Sequence, residues 1–289
     1  MILRSFLFVP GNRMDRIEKA IASPADAVIL DLEDAVAHSQ KETVRDQVAT
    51  FLKTASRKNL FVRVNGVDTP FFDQDIEKVT EASVYGVVVP KAEKPEALQK
   101  VDRQLADLER KKSIPQGQIR LVLMIETALG LSRVQEMGAS ARRILGIAFG
   151  AGDLTLDLGA KLSRTGEELL LARSSIILSC RLAGVTPIDA PYLLDVKDVE
   201  GLKAEALRSR QLGFRGKFCI HPSQIEPVNE IFSPTQEEID RAKKIVDAFE
   251  QAKKKGIGAI ALEGEFVDPP IYNKAKQLLD DAKKVGLIG

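Results

Sequence analysis

The 289-residue chain carries 42 Lys and Arg against 41 Asp and Glu, a formal net charge of +1, and 44% of its residues are hydrophobic. This near-neutral balance argues against a broad basic surface for nucleic acid or anionic lipid, and the lack of Trp argues against platforms that stack single-stranded bases. The length suits one large α/β domain with an appendage.

Three features favour a cytoplasmic protein. Cys180 and Cys219, the two cysteines, each lie within an apolar segment, which predicts small hydrophobic core residues rather than a disulfide, metal or redox pair. No apolar segment approaches the ~20 residues of a membrane span. The N-terminal segment MILRSFLFVPG lacks the cleavage site of a signal peptide, and we interpret it as the first strand.

Short apolar segments alternate with longer segments of helical periodicity, which is typical of repeated βα units and a parallel sheet. Several of the short segments are continuously apolar, as in strands covered on both faces. Eight strands are predicted, at residues 5–9, 27–32, 60–64, 86–90, 120–125, 144–149, 186–190 and 217–220. Eight such units predict an α/β fold with a closed parallel (β/α)8 TIM barrel over residues 1–232. A C-terminal helical extension or lid is predicted over residues 233–289.

Several helix starts can be located from local signals. Ser39 with Glu42, and Thr235 with Glu238, have the spacing of capping boxes. Pro95 is placed to open a helix, and Asn12 is predicted to cap one.

Polar residues follow all eight predicted strands, at the end of a parallel barrel where active sites lie. They are Asn12, Arg13, Asp31, Glu33, Asp34, Arg63, Asn65, Lys91, Glu126, Thr127, Asp153, Asp189 and His221. Any single one could be a helix N-cap or a structural residue, but a scaffold barrel has little reason to carry a complete polar rim. The GAGDLTLDLG segment lacks the Lys-Ser/Thr of a phosphate-binding loop and the spacing of a dinucleotide fingerprint, which excludes a nucleotide site there.

Glu126 and Asp153 follow consecutive strands, the fifth and the sixth, so they can converge on one point. Two carboxylates without partner His or Cys residues favour a hard cation, and Mg²⁺ commonly takes one or two carboxylates with water and substrate oxygens. Arg63 is placed to bind an anionic substrate group through its planar fork.

These residues lie in segments that resemble the citrate lyase β-subunit-like family within the HpcH/HpaI aldolase superfamily. The matching segments are FLFVPGNR, DAVILDLEDAV, VRVNG, VVVPKAE, MIETALG, AFGAGDLTLDLG, DAPY, GFRGKFCIHPSQIEPVNEIFSP and GEFVDPP. The resemblance implies a Mg²⁺-dependent barrel that forms a homo-oligomer, a trimer or hexamer, and acts on an acyl-CoA thioester and a small oxoacid.

Carried onto this chain, the resemblance implies a role for each matching residue. Glu126 and Asp153 look like the metal ligands, and Arg63 looks like the contact to the substrate carboxylate and thioester oxygen. Glu33 and Asp34 correspond to catalytic residues beside the metal. The residues implied near the thioester carrier and its adenine are Asn12, Arg13, Lys19, Ile220, His221 and Pro222. Asp268 matches an acid/base residue on the C-terminal lid, commonly contributed across a subunit boundary.

The implied activity is carbon–carbon cleavage of a malyl-CoA or citramalyl-CoA type thioester to acetyl-CoA and glyoxylate or pyruvate. One alternative is a citryl-carrier-protein lyase subunit of a citrate lyase complex, although Asp268 favours a stand-alone CoA enzyme. Two others are an aldolase acting on a free oxoacid and a non-catalytic barrel that binds CoA esters.

Overall fold

Each of the eight predicted strands is present, with its ends within one residue of the predicted bounds. This computed structural model describes residues 2–56 and 59–289. The strands are β1 Ser5–Pro10, β2 Ala27–Asp31, β3 Leu60–Arg63, β4 Gly86–Val89, β5 Arg120–Ile125, β6 Ile144–Phe149, β7 Thr186–Asp189 and β8 Gly216–Cys219. They pair in parallel in chain order, and β8 pairs with β1 to close the barrel. The predicted (β/α)8 TIM barrel is confirmed.

Alternate residues of the strands fill the barrel interior. Phe6, Ile29, Phe61, Val122 and Phe218 belong to one buried cluster there, and the residues between them point outward to the helices because side chains alternate along a strand. The Phe6 ring lies 5.7 Å from Phe61 and 5.8 Å from Phe218, centroid to centroid. The interior is therefore a packed core, and functional groups can lie only at its ends.

The helices of the barrel unit follow the strands in the order expected for βα units. They are α1 Met14–Ile21, α2 Lys41–Leu52, α3 Phe72–Val79, α4 Pro95–Lys111, α5 Ala128–Ser132, α6 Val134–Gly138, α7 Ala151–Asp157, α8 Leu170–Ala183, α9 Val199–Leu212 and α10 Ile225–Ile231. Pro95 opens α4 as predicted. Among the described residues, none of the helices is long and apolar enough to cross a bilayer.

Two predicted helix starts are wrong. A 3₁₀ turn over His38–Gln40 precedes α2, so Gln40 occupies the N-cap and Ser39 is already in the turn, one residue too early to form a capping box. The N-cap of α1 is Arg13, without a side-chain hydrogen bond, whereas Asn12 was predicted there. In both cases the turn that joins strand to helix is one residue longer than the sequence pattern suggests.

The chain divides into two compact units, Leu3–Glu230 and Ile231–Gly289 together with Ile2. In the second unit, α11 Gln236–Lys254 begins at the predicted capping box of Thr235 and Glu238. Helix α12 Pro269–Lys284 packs against α11 around Ile245, Phe249, Val267 and Ala275.

A hairpin of β9 Ile260–Leu262 and β10 Glu265–Val267 lies between α11 and α12, within the region predicted to be a helical extension. Its two-residue turn, Glu263-Gly264, has positive φ at both positions, 49° and 85°, which matches the twist of paired strands. The usual Asn-Gly or Asp-Gly signal for such a turn is replaced here by Glu-Gly, so the pattern did not reveal the hairpin.

Candidate active site at the carboxyl end of the barrel

A cavity of about 470 Å³ opens at the carboxyl ends of the barrel strands. Its charged lining includes Asp31, Asp34, Arg63, Glu126 and Asp153, and its apolar lining includes Phe8, Leu193, Phe218 and Ile220. The strand alternation explains the charged floor: Asp31, Arg63 and Glu126 each lie two residues beyond an interior core residue, Ile29, Phe61 and Met124.

Arg63 is fixed by Asp31 on the neighbouring strand. Its Nε and Nη2 donate to the two Asp31 carboxylate oxygens, at 2.8 and 2.7 Å, and its guanidinium carbon lies 4.9 Å from the centre of the Phe8 ring. Nη1 lies 3.0 Å from Glu33 Oε2 and donates to Asp34 Oδ2 at 3.4 Å. Burial alone would lower the pKa of Arg63, but the hydrogen bonds and charge of Asp31 outweigh this effect. The pKa of Arg63 therefore lies above its ordinary value. The side chain of Arg63 is therefore always protonated, and its hydrogen bonds fix the orientation of the guanidinium plane.

Glu126 is almost completely buried at the end of β5. Its Oε2 accepts a hydrogen bond from the main-chain N–H of Lys91 at 2.9 Å. A Cβ at Gly150 would overlap Glu126 Oε1, so only glycine leaves room for the carboxylate. Burial raises the pKa of Glu126 to about 7, and the nearby charge of Glu33 raises it in the same direction.

Asp153 and Glu33 approach the same region from other elements. Asp153 lies in the first turn of α7, with its side chain 42% exposed, and its Oδ2 is 3.9 Å from Lys91 Nζ. Glu33 is buried, and its Oε1 accepts from Lys91 Nζ at 3.1 Å. Its Oε2, although close to Arg63, is a buried oxygen without a hydrogen bond of acceptable geometry. Burial also raises the pKa of Glu33.

The charges of this site do not balance. Five carboxylates, from Asp31, Glu33, Asp34, Glu126 and Asp153, face two cations, Arg63 and Lys91. Fully ionised, the cluster carries an excess of three negative charges, which a divalent cation would reduce to one. Within residues 2–56 and 59–289, no group of three or more His, Cys, Asp or Glu side chains is arranged to hold a metal. An oxygen-rich site with two carboxylates and otherwise water or substrate ligands fits Mg²⁺ better than Zn²⁺.

The residues implied for the thioester carrier lie at the ends of two strands that pair with each other. Asn12 and Arg13 follow β1, and Ile220, His221 and Pro222 follow β8. All of them are exposed, and Arg13 is paired with Asp15 at 3.0 Å. His221 Nδ1 is hydrogen-bonded to Ser223 Oγ at 2.8 Å. Lys19 is exposed in the last turn of α1.

Asp268 lies in the C-terminal unit, at the N-cap of α12. Its Oδ1 accepts a hydrogen bond from the Ile271 N–H at 3.2 Å, ahead of Pro269 and Pro270. This bond fixes the direction of the carboxylate within its own unit and leaves Oδ2 as a further acceptor.

The prediction that Asp189 contributes to the polar rim is wrong. Ile188 points into the barrel, so Asp189 points outward, where it accepts from Arg173 at 3.1 Å, Ser209 at 2.7 Å and Lys217 at 2.5 Å. Burial would raise the pKa of Asp189, but the charges of Lys217 and Arg173 hold it below its ordinary value. Asp189 and the fully buried Lys217 thus form an ion pair between the barrel and its helices.

Two residues of the site are polar strand ends in the sequence, but the sequence pattern indicates no role for either. Asp31 anchors Arg63, and Lys91 contacts Glu33, Glu126 and Asp153. The sequence signal for both is their position, directly at or after the end of a strand. Their partners could not be read from it, because the partners come from other strands.

The chain matches two family models. One describes the HpcH/HpaI aldolase/citrate lyase family and covers residues 4–222, and the other describes a C-C bond lyase of the TIM-barrel fold and covers residues 173–287. The citrate lyase subunit beta of Leuconostoc mesenteroides subsp. cremoris is 36% identical over 278 residues, 96% of this chain and 92% of that protein. The (3S)-malyl-CoA thioesterase of Cereibacter sphaeroides is 36% identical over 284 residues, 98% of this chain and 95% of that one.

A crystal structure of similar fold contains ligands of the expected classes. The protein CitE from Mycobacterium tuberculosis, in complex with magnesium, acetoacetate and coenzyme A, superposes with a TM-score of 0.80 at 32% identity, covering 98% of both chains. The resemblance read from the sequence motifs is therefore confirmed at the level of the family.

Proposed function

Because the chain belongs to the HpcH/HpaI aldolase/citrate lyase family, we propose that it is a Mg²⁺-dependent carbon–carbon lyase. Its proposed substrate is a malyl-CoA or citramalyl-CoA type thioester, cleaved to acetyl-CoA and glyoxylate or pyruvate. The observation that carries this proposal is the acidic cavity in which the fixed cation of Arg63 stands beside Glu126 and Asp153. Magnesium and coenzyme A in the related CitE structure support the same cofactor and substrate class.

Glu126 and Asp153 are the proposed metal ligands. When bound, Mg²⁺ would supply Lewis-acid polarisation of the hydroxyl and carboxylate oxygens of the substrate. The excess negative charge of the cavity supports a cation there. Glu33 and Asp34 are proposed to act through Arg63 by forming ion pairs with it: Nη1 lies 3.0 Å from the Glu33 carboxylate and 3.4 Å from that of Asp34.

Arg63 is the proposed anion contact. Since Nε and Nη2 already bind Asp31, the protons left for a substrate are those on the outer sides of Nη1 and Nη2. They would stabilise negative charge developing on the thioester oxygen as the carbon–carbon bond breaks. The apolar walls at Phe8, Leu193 and Phe218 would keep water away from that carbanionic product. Asp268 is proposed to return the proton to its carbon.

The carrier would lie across the β1 and β8 strand ends, along Asn12, Arg13, Lys19, Ile220, His221 and Pro222. Ile220 also lines the cavity, so this surface is continuous with the acidic floor. The exposed cations of Arg13 and Lys19 suit the phosphates of coenzyme A.

The decisive experiment follows malyl-CoA and citramalyl-CoA with and without Mg²⁺, measuring acetyl-CoA, oxoacid and free CoA separately. Lyase activity yields equal amounts of acetyl-CoA and oxoacid and no free CoA. Free CoA without oxoacid would mean thioester hydrolysis, the reaction for which the Cereibacter relative is named. Citryl bound to an acyl carrier protein belongs in the same assay, because the Leuconostoc relative is named as a citrate lyase subunit. Cleavage of that substrate alone would favour the carrier-protein alternative.

Replacing Arg63 with Lys is expected to lower kcat on the order of 10²-fold, as removal of an oxyanion donor does. A Lys ammonium can hold Asp31 or a substrate oxygen but lacks the planar fork that does both. Steady-state kinetics on malyl-CoA measure the loss. The matched control is Arg4→Lys, because Arg4 makes a comparable two-point ion pair with Asp26 at 2.8 Å and is not among the residues that line the cavity. A change confined to KM would mean that Arg63 binds substrate and transition state equally.

Metal affinity is expected to depend on pH through Glu126. The pKa of this carboxyl is raised to about 7, so below pH 7 a proton must leave before the metal binds. Affinity should fall about tenfold between pH 6.5 and 5.5 and stay nearly constant above pH 8. Calorimetric titration of Mg²⁺ in two buffers of different ionisation enthalpy counts the released proton. An affinity that is flat from pH 5.5 to 8 would contradict Glu126 as a ligand.

We further propose a homo-oligomer, a trimer or hexamer. Helix α8 carries leucines on its exposed face: Leu171, Leu178 and Leu182 are 75%, 62% and 63% exposed. Leucines of this spacing and exposure are typical of a protein–protein contact. Light scattering after size-exclusion chromatography gives the number of subunits.

A further inference from the structure

Lys91 adopts a backbone conformation that residues with a Cβ seldom occupy. It follows β4 directly, and its φ is +47°, in the left-handed region. The other described non-glycine residues with positive φ are Asn59, Ser113 and Glu263. At Lys91 the unusual turn directs the main-chain N–H onto Glu126 Oε2 at 2.9 Å. Backbone strain of this kind persists where surrounding contacts require it.

The side chain of Lys91 reaches two more carboxylates of the site. Its Nζ donates to Glu33 Oε1 at 3.1 Å and lies 3.9 Å from Asp153 Oδ2. Glu33 follows β2, Glu126 follows β5 and Asp153 follows β6, so one residue contacts acidic groups from three βα units. No other described lysine is within 4 Å of either of the proposed metal ligands.

We propose that Lys91 is a positioning residue that sets the metal affinity of this site. Its main-chain amide orients Glu126. The positive charge of its ammonium group weakens the attraction of the Asp153 and Glu33 carboxylates for the divalent cation. The proposal rests on the proposed function, because it assumes the cation binds at Glu126 and Asp153. A positive charge a few ångströms from the ligands disfavours a second cation there, and the repulsion falls with distance and with solvent exposure. The Lys91 side chain is about half exposed, so solvent weakens the repulsion between its ammonium group and the metal ion but does not abolish it.

The test is the dissociation constant of Mn²⁺, measured by the electron paramagnetic resonance signal of the free ion on the full chain without substrate. Lys91→Met removes the ammonium and keeps the length of the side chain. Lys91→Gly removes the ammonium and fits the positive φ without strain. Lys91→Arg keeps the charge. We expect Met and Gly to tighten Mn²⁺ binding about tenfold and Arg to stay within about threefold of the wild type.

A purely structural role predicts the opposite, because a disordered Glu126 would bind the metal more weakly. Unchanged or weaker Mn²⁺ binding in both Lys91→Gly and Lys91→Met would overturn the proposal. Lys94→Met is the matched control: Lys94 is also half exposed, but it forms its ion pair with Asp68, at 3.5 Å. Its metal affinity should equal that of the wild type.

The melting temperatures of the variants and the Mn²⁺ binding of the wild type distinguish the possible outcomes. Lys91→Gly should melt at a higher temperature than Lys91→Met, since glycine adopts φ +47° freely. If Lys91→Met fails to fold, Lys91→Gly still decides the question. Failure of the wild-type protein to bind Mn²⁺ would remove the proposed metal site itself, whereas normal wild-type binding with no effect of Lys91 removes only the present inference.

Discussion

Replacing Glu126 with Gln is expected to abolish Mg²⁺-dependent turnover while the protein stays folded. Gln keeps the shape of the side chain, so it still fits beside Gly150 and can accept the hydrogen bond from the Lys91 N–H. It lacks the anionic oxygen that binds a hard cation most strongly, and loss of one of two carboxylates also misplaces the chelated substrate. Activity should fall to the detection limit at millimolar Mg²⁺, measured as acetyl-CoA and oxoacid formation.

The folding stability of the same variant separates loss of chemistry from loss of structure. The folded pKa of Glu126, about 7, lies above its ordinary value, so ionisation of this carboxyl begins to oppose folding above about pH 4.5 and opposes it fully above pH 7. This unfavourable contribution disappears as the pH falls from 7 toward 4.5. At pH 8 without metal, Glu126→Gln should therefore be at least as stable toward urea as the wild type. A large loss of stability would mean that the carboxylate has a structural role.

Asp153→Asn is expected to give the same loss of turnover, because Asp153 is the second proposed ligand. The matched control is Asp157→Asn on the same helix, α7, where Asp157 accepts from the Ala128 N–H at 2.7 Å. That substitution should leave kcat within about threefold of the wild type. Near-normal activity of either Glu126→Gln or Asp153→Asn at ordinary Mg²⁺ concentrations would show that the metal assignment is wrong.

The barrel could be predicted from the sequence because its strands are short, continuous and apolar. Each bears a polar residue at its carboxyl end, and parallel strands bring those ends to one rim. Arg63, Glu126 and Asp153 accordingly line one cavity. The strand pattern does not indicate which of two successive residues faces the interior. Asp31 and Asp189 both end a strand, yet Asp31 lines the cavity and Asp189 is buried outside the barrel.

The features that the sequence did not reveal depend on backbone conformation or on partners far along the chain. The positive φ of Lys91 is invisible in a lysine, because nothing in its own side chain requires it. The two contacts of its ammonium come from residues 58 positions earlier and 62 positions later. Likewise the hairpin at Glu263-Gly264 forms because its strands cover α11 and α12. The turn residues Glu263 and Gly264 alone would not predict the hairpin.

Asp268→Asn is expected to reduce exchange of the acetyl-CoA methyl protons by at least about 10²-fold, while Mg²⁺ and oxoacid still bind. Asn preserves the hydrogen bond from Ile271 N–H to the side-chain oxygen, so α12 should keep its N-cap. It removes the base that would take a proton from the methyl carbon. Deuterium exchange into acetyl-CoA, followed by nuclear magnetic resonance with Mg²⁺ and oxoacid present, isolates this step from carbon–carbon cleavage.

Normal methyl exchange in Asp268→Asn would limit Asp268 to its role as an N-cap. If Asp268 acts as the base, mixed oligomers can show whose active site it serves. Chains with Asp268→Asn and chains with Glu126→Gln are each inactive alone, but if the lid acts across a subunit boundary, some mixed sites combine an intact barrel with an intact Asp268. Activity should then return, in a homotrimer of randomly mixed chains, to about a quarter of the wild-type level, because each intact component is present with a probability of about one half. Mixed oligomers that contain both chains, verified by two affinity tags, yet remain inactive would place Asp268 on its own subunit's site.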